Sequence, residues 1–118
     1  MKKGQLPNIR TPINANDFVY VDDVADAFSK AVSANFPSGI YNLGSGRSTT
    51  VLDVCRISEQ ILWGAESLTA QLESKTESSR CEVDFWADIK HSKEILDWQP
   101  TISLKDGIQL TQQWINSQ

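Results

Sequence analysis

Val21, Val24, Ala25, Phe28, Ala31 and Val32 follow one another at steps of three and four, which predicts a helix with one apolar stripe. Asp22 and Asp23 fall in its first turn, where carboxylates suit the helix dipole, and Asn35, Pro37 and Gly39 stop it. A second helical pattern runs through Val51, Val54, Cys55, Ser58, Ile61 and Leu62. It opens on Thr50 with Asp53 as a capping box and closes at Gly64. A third helix starts at Asp88, carries Ile89, Ile95 and Leu96, and ends near Asp97 before Trp98 and Pro100. Ser103 and Asp106 open a fourth, with Leu104, Ile108, Thr111 and Ile115 on one side and Trp114 close by. Short apolar runs predict strands at 17–20, at 40–43 and, by alternation of Leu68, Ala70 and Leu72, within the polar stretch 65–80. Residues 1–16, with Gly4, Pro7 and Pro12, read as extended or irregular chain.

Composition bounds what such a chain can do. It has 118 residues, 40% of them hydrophobic and 22% charged, enough for one compact domain. Eleven basic residues against 15 acidic ones give a net charge of -4, so no basic face for nucleic acid is expected. No apolar run reaches the ~20 residues that span a bilayer, and the two lysines after Met1 lead into no apolar stretch. A soluble, cytoplasmic protein is the expectation. Cys55 and Cys81 are too few for a disulfide framework and fit no metal spacing. Cys55 lies in an apolar helical pattern and reads as a small buried hydrophobe. His91 stands among lysines, on a solvated helix face.

The segment Gly44-Ser45-Gly46-Arg47-Ser48-Thr49 invites a cofactor reading, because it follows an apolar run and precedes a helix. Thr49 replaces the third glycine, and Glu66, the nearest candidate for a ribose-binding acid, sits in a loop. A tight turn needing positive φ is the alternative, and the backbone N–H groups at that helix start remain able to hold an anion. The proton-transfer pattern Tyr-x-x-x-Lys is absent: Tyr20 is followed four residues on by Val24, and Tyr41 by Ser45. One histidine without a partner makes no nucleophilic triad or dyad.

The order of the segments carries more than any one of them. Asp17-Phe18-Val19-Tyr20-Val21-Asp22-Asp23-Val24-Ala25-Asp26-Ala27 resembles the D-F-V-x-V-D-D-V-A-x-A segment of the extended short-chain dehydrogenase/reductases. These are the NAD(P)-dependent nucleotide-sugar epimerases and dehydratases. Ile40-Tyr41-Asn42-Leu43-Gly44-Ser45-Gly46 is similar to their Y-N-x-G-S-G, and Ala87-Asp88-Ile89-Lys90-His91-Ser92-Lys93 to A-D-x-S-K-A. Leu96-Asp97-Trp98-Gln99-Pro100 resembles L-G-W-x-P, and Ser103-Leu104-Lys105-Asp106-Gly107-Ile108 resembles S-L-x-E-G-I. Five pieces in order cover nearly residues 5–117.

The resemblance implies a helix-rich α/β fragment of about four helices and two or three short strands. This is the C-terminal, substrate-binding part of that fold, without the N-terminal Rossmann domain. The family's NAD or NADP site and its catalytic tyrosine and lysine have no counterpart here, so the chain holds no cofactor of its own and no catalytic residue. On the substrate side, Asn16 stands where the family usually has a phosphate-gripping arginine, and its neutral amide loses one bidentate contact. Arg80 is the nearest match to a second such arginine, or else a surface loop charge. Phe18 and Phe85 match pocket positions, or else are core. With the large domain absent, the helix from Val21 and the run 40–43 lose their cover, and a homodimer burying them is expected.

Three functions remain open: a non-catalytic piece that keeps nucleotide-sugar binding, a subunit completed in trans by a cofactor-binding chain, or an interaction module without ligand. Met1-Lys2-Lys3 reads as a genuine start, which weighs against a piece cut from a longer enzyme.

Overall fold

A computed structural model describes residues 9–33, 36–64, 67–74 and 83–118. They form β1 (Ala15–Asn16), α1 (Val21–Ser33), β2 (Thr49–Thr50), α2 (Val51–Trp63), α3 (Ser67–Ser74), α4 (Lys90–Leu96) and α5 (Leu104–Asn116). This is a helix-rich α/β architecture, and it divides into two compact units. One comprises Met1–Asn16 with Thr49–Asp84, the other Asp17–Ser48 with Phe85–Gln118.

In the first unit β1 and β2 pair antiparallel, Ala15 opposite Thr50 and Asn16 opposite Thr49. The Ala15 N–H also donates to the Val83 carbonyl at 2.7 Å. The capping box at the head of α2 forms as its spacing predicts: the Thr50 hydroxyl accepts from the Asp53 N–H at 3.0 Å and donates to the Asp53 carboxylate at 2.6 Å. Gly64 closes the helix with a φ of 67°. The inward face differs from the expected one. Leu52, Cys55 and Glu59 are the buried positions, because α2 packs against α3, a helix where the alternation of Leu68, Ala70 and Leu72 predicts a strand. Glu59 explains that error. Its carboxylate accepts from the Leu68 and Thr69 N–H groups at 2.8 and 2.9 Å and from the Thr69 hydroxyl at 2.8 Å, so a side chain of α2 caps the start of α3. Arg56 adds a bridge from Asp53, at 2.6 Å, to Glu73, at 3.2 Å.

In the second unit α1 packs on α4 around Ala27, Leu96 and Trp98, with Val19, Phe36, Tyr41, Leu43 and Ile89 against them. Residues 17–20 and 40–43 are not strands. The second run is held by side chains instead: Ser92 donates to the Asn42 carbonyl at 2.6 Å, and the Asn42 amide to the Asp88 carbonyl at 3.2 Å. Asp88 accepts from the Lys90 N–H at 3.0 Å but does not cap α4 as expected: Ile89 holds the cap position, with no side-chain bond, and the helix begins at Lys90. His91 is exposed, as expected, and its ring stacks on Tyr41 with centroids 4.9 Å apart. The expected Ser103 cap of α5 forms, accepting from the Asp106 N–H at 3.1 Å.

The stripe on α1 faces outward. Asp23 and Ala27 are its buried residues, while Val21 and Phe28 are each 65% exposed and Val32 is 87% exposed. The amphipathic pattern is real; its large apolar side has no partner among the described residues.

Candidate functional site

Asp17 and Asp23 bracket the run Phe18–Tyr20 and Val21–Asp22, and both carboxylates turn into the second unit. Asp17 accepts from the Ser45 N–H at 2.6 Å, the Ser45 hydroxyl at 2.5 Å, the Gly46 N–H at 3.0 Å and the Ala87 N–H at 3.0 Å. Burial pushes its pKa up, but these four donors outweigh it and hold the carboxyl below the ordinary 3.8. The two glycines of the turn have different reasons. Gly46 has a φ of 72°; Gly44 leaves space, since a Cβ there would lie 2.5 Å from Asp17 Oδ2.

The tight-turn reading holds, with Gly46 at positive φ, and the helix start after it is not left free for an outside anion. The turn's amides are engaged by Asp17. At the head of α2, the Val51 N–H donates to the Asn14 carbonyl at 3.0 Å, the Leu52 N–H to the Pro12 carbonyl at 2.8 Å, and the Asp53 N–H to Thr50. Donors already satisfied inside the chain do not fit a dinucleotide's phosphates.

Asp23 does not lie on a solvated face. It is 4% exposed and accepts from the Thr101 N–H and hydroxyl, both at 2.9 Å, and from the Ile102 N–H at 3.0 Å. Burial again raises its pKa, and these donors bring it below 3.8. Its carbonyl accepts from the Trp98 indole N–H at 2.8 Å. Sequence patterning places both aspartates at helix and strand starts and misses this anchoring. The signal for it is two carboxylates on either side of the apolar run Phe18–Val21 and Asp22, with hydroxyl-bearing segments downstream.

Between these anchors Phe18 lines a cavity of about 160 Å³ with Tyr20, Ile102, Leu104, Ile108 and Thr111. Its wall is close-fitting at Gly107, where a Cβ would lie 3.0 Å from the Tyr20 ring. No charged side chain lines it, so it accommodates an apolar group and does not neutralise a phosphate. Of the other residues expected to bind substrate, Phe85 lies in the same unit, exposed, and is not among that cavity's lining. Asn16 is half-buried in β1 of the first unit. Arg80 lies outside the described residues, as do Cys81 and Glu66. Cys55 is buried; desolvation, then the Glu59 charge, pushes its thiol pKa up, which makes it unreactive.

No family model matches the chain. Individual proteins do. It is 30% identical over 105 residues to UDP-glucuronate 4-epimerase of Thermodesulfobacterium geofontis, covering 85% of this chain and 30% of that one. It is 34% identical over 103 residues to dTDP-L-rhamnose 4-epimerase of Burkholderia thailandensis, covering 84% and 26%. The chain belongs to the extended short-chain dehydrogenase/reductase family. The fold agrees: the crystal structure of UDP-glucuronic acid 4-epimerase from Bacillus cereus in complex with NAD superposes with a TM-score of 0.57 at 24% identity, over 82% of this chain and 29% of that one. The expected α/β fragment is thus present. The chain spans about 30% of the length of the curated relatives it matches.

Proposed function

We propose that this epimerase/dehydratase-like chain is a sugar-nucleotide-binding module that does not run a redox reaction by itself. The observation that carries the proposal is that similar proteins are named for UDP- and dTDP-sugars, while the match covers only about 30% of them. Asn16, Phe18, Arg80 and Phe85 are the residues proposed to contact the ligand, on the strength of the motif resemblance. The Phe18 cavity supports an apolar contact. NAD or NADP does not fit the amide donors of the 44–46 turn, so no step is assigned to a cofactor on this chain. The partial span also favours completion in trans by a cofactor-binding chain, with turnover seen only in the mixture. A cytoplasmic location belongs to the same proposal; among the described residues no helix is long and apolar enough to cross a membrane.

Titration calorimetry with UDP-, dTDP- and CDP-sugars tests it. Saturable heat is expected with at least one of them. Phe85→Ala, a change at an exposed position that leaves the fold intact, is expected to weaken that binding about fivefold. No heat with any sugar nucleotide rejects the reading and leaves an interaction module.

A further inference from the structure

Residues 85–89 lie in no helix or strand, so no backbone ladder fixes where Phe85 stands. Its place is set by the bonds of its neighbours. Two residues on, the Ala87 N–H donates to Asp17 Oδ2 at 3.0 Å, and the Gly46 N–H donates to the same oxygen at 3.0 Å. Asp17 Oδ1 accepts from the Ser45 N–H at 2.6 Å and from the Ser45 hydroxyl at 2.5 Å. Two residues of chain reach at most about 7 Å, so a fixed Ala87 amide confines the Phe85 backbone to that radius. Phe18 follows Asp17 directly in the sequence. One carboxylate thereby gathers the segment of Phe18, the segment of Phe85 and the 44–46 turn. The fit leaves no slack: a Cβ at Gly44 would lie 2.5 Å from Asp17 Oδ2 and 2.8 Å from the Ala87 Cβ.

We propose, resting on the sugar-nucleotide reading above, that Asp17 is a positioning residue for the ligand site: its carboxylate holds Phe85 at a set place relative to Phe18, and affinity depends on it through Phe85 and not through contact with the ligand. A carboxylate suits this place because it offers two acceptor oxygens and no donor to the four donors that converge on it. Asparagine has one acceptor oxygen. Kept on the shorter Ser45 bonds, it turns its NH2 group toward the Gly46 and Ala87 N–H groups, and donor meets donor. Asp17→Asn therefore releases Ala87 while Ser45 stays bound.

Amide hydrogen exchange and titration calorimetry on the 118-residue chain are the test. In the unsubstituted chain the Ser45, Gly46 and Ala87 amides should exchange slowly together. Ala87 exchange at the free-chain rate overturns the proposal, with no variant and no ligand needed. Asp17→Asn should speed exchange at Gly46 and Ala87 about tenfold or more, with Ser45 little changed. It should also weaken binding of the UDP-, dTDP- or CDP-sugar that gives heat about fivefold, as Phe85→Ala does, and the two changes together should again give about fivefold, because both act through one ring. Gly44→Ala keeps the charge but drives a methyl toward Asp17 and Ala87, and should weaken binding in the same way. Leu96→Val, which loosens the apolar core of the same unit, should leave the affinity as it is. Losses that multiply to about 25-fold in the double variant overturn the proposal. So does an equal loss from Leu96→Val, which would make the effect one of stability alone. Heat that is indifferent to Asp17→Asn rejects the role of Asp17 only; no heat from the unsubstituted chain with any of these sugar nucleotides rejects it together with the binding reading.

Discussion

With its carboxylate enclosed and accepting three hydrogen bonds from Thr101 and Ile102, Asp23 ties the start of α1 to the segment ahead of α5. Removing it strands two backbone donors, so Asp23→Ala should cost about 3 kcal/mol in urea unfolding. Its depressed pKa, and that of Asp17, fix the sign of the pH dependence. Both groups are below 3.8 in the folded chain, so their stabilisation is complete above that value and disappears as pH falls through the folded-state pKa. Melting temperature should therefore hold from neutrality toward pH 5 and drop below pH ~4, and Asp23→Asn should flatten the drop. Asp97 shows a different residue-scale effect. It ends α4 with a φ of 49°, at the place where the resembling motif has glycine, and Lys30 donates to its carbonyl at 2.9 Å. Asp97→Gly should raise stability by about 0.5–1 kcal/mol, seen as a higher denaturation midpoint.

Elements with a local start signal were legible in the sequence: Thr50 with Asp53 and Ser103 with Asp106 each name a helix start within four residues, and Gly64 names a stop. α3 was not legible, because its cap, Glu59, lies on the preceding helix nine residues before Leu68. Nor was the state of 40–43, a short apolar run that suits a strand but whose carbonyl at Asn42 is taken by Ser92. The same logic gives the test for α3. Glu59→Ala should destabilise the chain by about 2 kcal/mol, and hydrogen exchange should rise first at the Leu68 and Thr69 amides. Loss of the far C-terminal helix signal instead would place the role of Glu59 elsewhere.

At the scale of the molecule, the motif order identified the family, since five short segments in one sequence constrain far more than any single one. The candidate site was less legible. Phe18 does line a cavity, but the exposed aromatic at position 85 stands apart from it, and the loop with Arg80 lies outside the described residues. The direction in which α1 faces is a property of what surrounds it, and periodicity reports only that an apolar side exists. Trp98 has 0% of its surface in water and gives its indole proton to Asp23, whereas Trp86 and Trp114 face solvent. With Trp63 of the first unit half-buried, the emission least reached by an aqueous quencher therefore originates from the Trp98 ring at the heart of the second unit, so that unit carries its own optical gauge, one that responds when the Asp23 anchor gives way.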